Sequence, residues 1–499
     1  MIAASHPILT CAAAKALEDG LFDGDEAKEW PAMQQAGRAI AAAVLRDFEE
    51  IGGLAHDGRV LVLAGKGHNG GDALIAAQTI LEGKPGVTVE VMFFFGEGNL
   101  RPLAAQAWRE LATVGGARVR RAAALHDETS DAVEYDLCLD GVFGFQFRAP
   151  AEKRVVELLE RVNAMPIRLR AAVDLPSAGL FRADFTYATG CVKKPAVGTE
   201  EAGRVRYLDL GFFRGGERGE KSEMGEERVL LPCVLAPLTG LRAASSDKRT
   251  FGHVFIVGGS RSFPGAVLMS VLAALRSGAG LVTAFVPESV AAAFAARAPE
   301  AMWVAWPETP EGGLALEGEH LLRERIERAD ALVIGPGLGR EKETLALAEA
   351  IVRMAKVPVV IDADALQPEI VRAGKAKKIL TPHAGEFARI AGKTELGEFA
   401  KEIGGTVIVK GTGTRIASGG IIYRSFFGGP VLARGGSGDL LAGLIGGLVA
   451  KKGTDPEMAA AQGVVWHGLA ADALARERGQ VAVSTTQLLD YLAGVLREV

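Results

Sequence analysis

The 499-residue chain predicts an α/β protein built from two domains, each a mostly parallel sheet covered by helices. Three observations carry that reading. Apolar runs of strand length alternate with helix-length segments along nearly the whole chain, the pattern of successive βαβ units. The 63 glycines fall in turns between apolar runs and form no repeat, as tight strand-to-helix crossings require. The length exceeds what one core ordinarily organises. From Phe212 to Glu227 the sequence FFRGGERGEKSEMGEE is charged, glycine-rich and without apolar period, which marks a linker. That places the boundary near Lys221 and the domains at 1–220 and 221–499.

Composition narrows the function classes. Hydrophobic residues make up 48% and charged residues 23%, ordinary for a soluble globular protein. A net charge of -5 argues against sequence-independent nucleic-acid binding, which needs a basic face. Cys11, Cys138, Cys191 and Cys233 form neither a C-x-x-C pair nor a zinc pattern, so a reducing compartment is expected. No basic n-region precedes an apolar stretch at the N-terminus, and no apolar run is long and uncharged enough to span a bilayer. The expectation is a soluble, cytoplasmic protein without a membrane or nucleic-acid partner.

The elements follow in chain order. Leu9 to Glu50 reads as helices, with Trp30, Met33, Ala36, Ile40 and Val44 on one face. RVLVLAGKGHNGGDALIAAQTI, Arg59 to Ile80, gives a buried strand, a glycine turn and a helix in Rossmann-like fashion. Gly65, Gly67 and Gly70 meet the G-x-G-x-x-G spacing. A dinucleotide site would also want an acid ending the next strand, yet VTVEVMFFF carries Glu90 in its middle. An ordinary nicotinamide dehydrogenase therefore ranks low. The turn instead offers Asn69 and Asp72 beside Gly70 and Gly71. DLCLDGVFGF then places Asp140 at a strand end, and LRAAVDLPSAGL places Asp174 and Ser177 at another. Parallel strand ends converge on one crevice, where such hard oxygen ligands suit a cation or a polar substrate. Any one of these acids, taken alone, more often caps the next turn or helix.

The second half opens with a strand, a glycine turn and a small-residue helix in KRTFGHVFIVGGSRSFPGAVLMSVLAALRSGAG. IGPGLG, IDADAL, LTPHAGEF and VKGTGT follow at strand ends, and the alternation predicts a three-layer α/β/α sandwich. Gly411 and Gly413 let the backbone approach a nucleotide, and Lys410 offsets its charge. LARGGSGDLLAGLIGGLVA, Leu432 to Ala450, reads as a glycine loop feeding a buried helix. The amides at such a helix start suit a phosphate oxyanion, and Asp439 stands where a carboxylate takes a proton from an attacking hydroxyl. The plainer alternative for Asp439 is a helix cap. Gly392-Lys393-Thr394 imitates the end of a P-loop, but Phe387 occupies the place of its first glycine. His383 has no second His or Cys at ligand spacing, so a hydrogen-bonding or structural role is expected.

GHNGGD (Gly67 to Asp72), LDGVFG (Leu139 to Gly144) and VDLPS (Val173 to Ser177) resemble the motifs of the NAD(P)H-hydrate epimerase family. The resemblance implies that His68, Asn69, Gly70, Gly71, Asp72 and Asp174 bind the hydrated dinucleotide, that Asn69, Asp140 and Ser177 hold potassium, and that Asp174 is catalytic. Two departures are Phe145, where a small glycine-containing turn is usual, and a shortened segment after Ser177. VGGSRSFPGA, GPGLG, DADAL, TPHAGEF, KGTGT and GGSGD together resemble the ADP/ATP-dependent NAD(P)H-hydrate dehydratase family, which has a ribokinase-like fold. That implies nucleotide contacts from Lys410, Gly411, Thr412, Gly413, Thr414 and Gly438, and substrate contacts from Ala266, Gly337, His383 and Asp439, with Asp439 catalytic. Arg434 stands where that family often has Thr. The implied whole is a bifunctional repair enzyme acting on NADHX and NADPHX with ADP (or ATP), Mg2+ and K+, as a homo-oligomer. A small-molecule kinase on the same fold is the nearest alternative, and a non-catalytic nucleotide sensor is a third.

Overall fold

A first strand, β1 (Ser5–Leu9), precedes the two predicted helices, Cys11–Phe22 and Glu26–Phe48. Side chains start both helices: Thr10 accepts from the Ala13 amide and Asp25 from the Ala27 amide. Seven strands of a main sheet, and β8, the partner of β1, complete this half in the computed structural model, which describes residues 1–122, 134–213 and 227–499. They are β2 (Arg59–Ala64), β3 (Thr88–Phe93), β4 (Val119–Arg121), β5 (Tyr135–Gly141), β6 (Ile167–Val173), β7 (Phe185–Thr189), β8 (Val192–Lys193) and β9 (Arg204–Leu208). The linker residues 214–226, and with them the boundary near Lys221, lie outside the described residues.

The main sheet of this half runs β4-β3-β2-β5-β6-β7-β9, and every pairing is parallel. Its strands are apolar on both sides, so both faces are covered. Val60, Val62 and Ala64 join one core with Met33, Ile40 and Val44 of the second helix, while Leu61 and Leu63 join the other with Leu159 and Val162. Strand order reverses between β2 and β5, which opens the usual ligand crevice at their C-terminal ends. Apart from this sheet, β1 and β8 form a short parallel pair through Ile8 and Val192.

The second half contributes β10 (Glu227–Leu230), β11 (His253–Val257), β12 (Leu281–Pro287), β13 (Met302–Trp306), β14 (Ala331–Ile334), β15 (Val359–Ile361), β16 (Lys378–Leu380), β17 (Thr406–Val409), β18 (Thr414–Ser418) and β19 (Ile421–Ser425). Their order is β13-β12-β11-β14-β15-β16-β17-β18-β19-β10. The strands from β13 to β17 are parallel, and β18 and β19 add antiparallel neighbours. The hairpin corrects the expectation of uniform strand–helix alternation: Gly419 and Gly420, both at positive φ, turn the chain straight back.

Helix Ser437–Ala450 is almost wholly buried, as its composition predicts. Its small residues have a packing reason. A Cβ on Gly443 would stand 2.0 Å from the carbonyl oxygen of Ser270, so glycine lets helix Pro264–Arg276 lie against it. The chain divides into two compact units, His6–Gly225 with Ala475–Gln480, and Met1–Ser5 with Glu226–Leu474 and Val481–Val499.

Candidate active sites

Three strand ends supply the first site. Asn69 lies in the first turn of helix His68–Gly83, directly after β2. Its amide nitrogen donates to the carbonyl of Val173 at 2.9 Å and to that of Phe143 at 3.5 Å. Asp140, at the end of β5, is fully buried and accepts from the Ser177 hydroxyl (2.6 Å), the Ser177 amide (2.8 Å) and the Val142 amide (3.2 Å). Burial pushes its carboxyl up to about 6 against those hydrogen bonds. The bonds come from neutral donors, so the buried carboxylate has room for a cation in its charge balance. Asn69 also turns its side-chain oxygen to a glycine: a Cβ on Gly144 would fall 2.3 Å from it. Asn69, Asp140 and Ser177 offer hard oxygen donors of the kind a potassium ion takes, and the missing Cβ of Gly144 leaves room for the Asn69 amide.

Asp174 follows β6 with φ +67°, a left-handed conformation that costs a non-glycine residue energy and persists where surroundings over-determine it. Its Oδ1 accepts from Lys193 Nζ at 2.6 Å, and Lys193 also donates to the Thr189 carbonyl at 3.1 Å. Both side chains are buried, 4% and 1% exposed. Burial works against the Lys193 charge, but Asp174, then Cys191 and Glu18, more than restore it and raise its pKa. The Phe145 ring lies 5.1 Å from the same ammonium. Asp72 is buried, and burial together with Asp174 and Glu18 holds its carboxyl well above the ordinary range. Glu18, on helix Cys11–Phe22, is raised to about 7, chiefly by burial. Gly70 and Gly71 sit buried in the same first turn as Asn69, whereas His68 is exposed with Nε2 3.2 Å from Glu29.

Sequence reasoning missed Lys193 and Glu18. Lys193 reads as a solvent-facing lysine in VKKP, and only the two-residue strand β8 turns it inward. Its place directly after the apolar Cys191-Val192 was the available signal.

The second site gathers at the ends of β15 and β17 and the start of helix Ser437–Ala450. Gly436 occupies the N-cap with φ +90°, and no side chain caps this helix. Asp439 is thus in the first turn without serving as the cap, and its backbone carbonyl accepts from Ser270 Oγ at 2.8 Å. Burial and then the neighbouring Asp362 raise its carboxyl to about 7, with Lys410 acting in the opposite sense. Lys410 Nζ lies 2.8 Å from where a Cβ on Gly438 would stand. The same ammonium donates to Asp362 Oδ1 at 2.9 Å, and Thr381 Oγ1 donates to that oxygen at 2.7 Å.

His383 caps helix Ala384–Ala391: its Nδ1 accepts from Gly385 at 3.0 Å, and Glu386 accepts from the His383 amide at 2.8 Å. A parallel bridge joins His383 to Lys410. A Cβ on Gly337 would come within 3.0 Å of Ala266, and Ala266 lies one helical turn from Ser270. Gly411 and Thr412 are exposed, Gly413 has φ +64°, and Thr414 Oγ1 donates to the Gly411 carbonyl at 3.1 Å. All the expected residues of this half thus lie along the strand-end face. Arg434, beside the glycine turn, donates to the Val481 carbonyl at 2.8 Å. Gly392 closes helix Ala384–Ala391 as its C-cap, so Gly392-Lys393-Thr394 is a helix end and not a phosphate loop.

Comparison with known proteins matches each half separately. The NAD(P)H-hydrate dehydratase family model covers residues 254–493, and the model of the YjeF-related protein N-terminus covers 31–197. A bifunctional NAD(P)H-hydrate repair enzyme of Moorella thermoacetica is 34% identical over 93% of this chain and 92% of its own length. The protein of that description from Gloeobacter violaceus is 35% identical over 91% of each chain. Among solved structures, an ADP/ATP-dependent NAD(P)H-hydrate dehydratase of Bacillus subtilis co-crystallised with ATP and Mg2+ is 30% identical, covering 52% of this chain and 93% of that one, with a TM-score of 0.45.

Proposed function

The chain belongs to the bifunctional NAD(P)H-hydrate repair enzyme family, and from that premise we propose how its two sites divide the work. The enzyme interconverts (R)- and (S)-NAD(P)HX and dehydrates the S form to NAD(P)H at the expense of ADP, giving AMP and phosphate. The observation that carries the dehydratase assignment is Asp439, a half-buried carboxyl raised to about 7 within reach of the Gly435–Gly438 turn and Lys410. Near neutral pH it is poised to take a proton.

Asp439 removes the proton of the substrate's C6 hydroxyl as that oxygen attacks the β-phosphorus of ADP, and AMP departs. The Gly438 turn and Lys410 offset charge on the transferring phosphoryl group. Loss of the C5 proton and the C6 phosphate ester then restores the ring double bond. Gly411, Thr412, Gly413 and Thr414 line the nucleotide, and Ala266, Gly337 and His383 the hydrated dinucleotide. Mg2+ bound with the nucleotide supplies further neutralisation of phosphate charge. ADP is the expected cosubstrate, with ATP able to replace it.

In the epimerase half Asp174 exchanges protons at the reacting end of the hydrated ring. Lys193 keeps it oriented, and the His68–Asp72 turn holds the dinucleotide. Potassium held by Asn69, Asp140 and Ser177 supplies positive charge beside the buried Asp140. This division favours repair of both epimers on one chain and disfavours the vitamin-precursor kinase, which gives the first half no task. Among the described residues no helix is long and apolar enough to cross a membrane. The metabolite-repair role of the family supports a cytoplasmic placement, and family membership supports a homo-oligomer.

The test is recovery of NADH absorbance from mixed (R)- and (S)-NADHX with ADP, Mg2+ and K+. Complete recovery, faster than spontaneous epimer exchange, is expected. A halt at the S fraction would remove the epimerase, and no recovery with either nucleotide would remove the dehydratase.

A further inference from the structure

Asp362 stands out among the groups facing the phosphate turn because it does not belong to that turn. It directly follows β15, is 1% exposed, and has no counter-charge on that strand. Its Oδ1 accepts from Thr381 Oγ1 at 2.7 Å and from Lys410 Nζ at 2.9 Å, while its Oδ2 lies 3.8 Å from where a Cβ on Gly438 would stand. One oxygen thus anchors the lysine and the other faces the turn that carries Asp439. The backbone secures this placement: Ala363, the next residue, has φ +51°, and a Cβ on Gly335 would stand 1.9 Å from the Asp362 carbonyl.

We propose that Asp362 is a positioning residue of the dehydratase, which fixes Lys410 over Gly438 with one carboxylate oxygen and presents the other to the turn that carries Asp439. The inference rests on Asp439 being the base of that reaction. A pure anchor for Lys410 would need only a hydrogen-bond acceptor. A charged one also opposes ionisation of a carboxyl across the turn, so a single side chain does both jobs. The four charged groups facing Asp439 come from three segments. They are Asp362 and Asp364 after β15, Lys410 after β17, and Glu386 on helix Ala384–Ala391. Asp362 is the strongest of the carboxylates, and Lys410 opposes them.

The signs are therefore fixed. Removing the Asp362 charge frees Asp439 to ionise at lower pH. It also leaves the Lys410 ammonium to act on Asp439 alone, which shifts it the same way. Removing Lys410 shifts it upward. The experiment is the pH profile of dehydratase turnover by the full-length enzyme with saturating ADP and Mg2+, for the unaltered chain, Asp362→Asn, Asp362→Glu and Lys410→Gln. The ascending limb of the unaltered enzyme should move down by about one pH unit in Asp362→Asn and up by about one in Lys410→Gln. Asp362→Glu, which keeps the charge while disturbing the fit, should lose rate but keep the limb near its original place. A structural role alone would lower rates and leave every limb where it was, and that outcome overturns the proposal. If Asp362→Asn fails to fold, Asp362→Ser, which also removes the charge while keeping an acceptor for Lys410, takes its place, and an unmoved limb in it overturns the proposal. An unaltered enzyme without dehydratase activity would instead remove the reading on which this rests.

Discussion

The two candidate catalytic carboxylates sit in opposite electrostatic settings. Asp174 is buried, strained into a left-handed backbone and tied to Lys193, an ammonium with almost no access to water. Asp439 is half-buried at an open helix start, and its lysine is tied to a different carboxylate, Asp362, with 23% of the Lys410 side chain exposed. Pairing fixes a charge in place, whereas withholding the partner leaves a carboxyl near 7 that gains and loses its proton easily. The first arrangement suits exchange between two epimers of equal charge. The second suits a base that must be free at the moment a phosphoryl group arrives.

The comparison is broken most severely at Asp439. Asp439→Asn should lower dehydration by about 10²–10⁴-fold, the range for a lost general base, while epimer exchange followed chromatographically continues at its original rate. The same substitution bears on stability. Because Asp439 is raised from 3.8 to about 7 in the fold, its ionisation disfavours the folded state. That cost is absent below the unfolded value and grows as pH rises through the window to about 7. Asp439→Asn should then stabilise the second unit at pH 8 and change little near pH 4, as denaturant unfolding at the two pH values would reveal. Equal effects at both would mean that Asp439 is not so perturbed.

Next in size is Lys193→Met. It leaves Asp174 buried without its partner, and breaking a buried pair from one side typically costs about 3–5 kcal/mol. Hydrogen exchange in β5 and β6 should accelerate accordingly, and epimer exchange should stop. Asp174→Asn combined with Lys193→Met should recover much of the stability but none of the activity. Recovery of activity in the double variant would show that the pair is structural only. Replacing K+ by a bulky organic cation should slow epimer exchange and spare dehydration, since Asn69, Asp140 and Ser177 all belong to the first site. Equal slowing of both reactions would detach potassium from that oxygen set.

Much of this contrast was legible in the chain before its structure. Strand ends of a parallel sheet converge, so Asn69, Asp140 and Ser177 were expected together, and Asp140 and Ser177 do bond directly. LAGLIGGLVA reads as a buried helix, and burial is what the structure shows, while the close approach of Gly443 to Ser270 emerges only from the packing. The partners of the carboxylates were not legible, because they arrive through tertiary paths. Lys193 reaches Asp174 only because β8 pairs with β1, which brings Ile8 to Val192 from the far end of the half. Asp47, in the last turn of the second helix, and Glu50, just beyond it, look like ordinary acids, yet they are buried and bonded to Arg206 and Arg204, more than 150 residues away. No local period encodes such pairs. The β18–β19 hairpin is a different kind of miss: Gly419-Gly420 was a sufficient turn signal, overlooked beside the stronger strand–helix rhythm.

The smallest expected effect concerns Phe145, the residue that departs from the usual glycine-containing turn. Its ring covers the Lys193 ammonium at 5.1 Å and packs with the cluster of Leu9, Ala14, Leu17, Cys191 and Phe213. The aromatic face attracts the ammonium while the ring keeps water from the ion pair, so Phe145 strengthens the pairing that distinguishes this site from the second. Phe145→Leu retains apolar cover but loses the ring's quadrupole and part of its volume. The expected cost is about 1 kcal/mol in unfolding of the first unit, with a modest fall in epimer exchange. Volume loss and cation attraction are separated by repeating the substitution in the Lys193→Met background. There the attraction is already gone, so the cost of Phe145→Leu should shrink to the packing contribution alone. An undiminished cost would make Phe145 a core residue that happens to lie near Lys193, and the sealed character of the first site would then rest on burial of the pair itself.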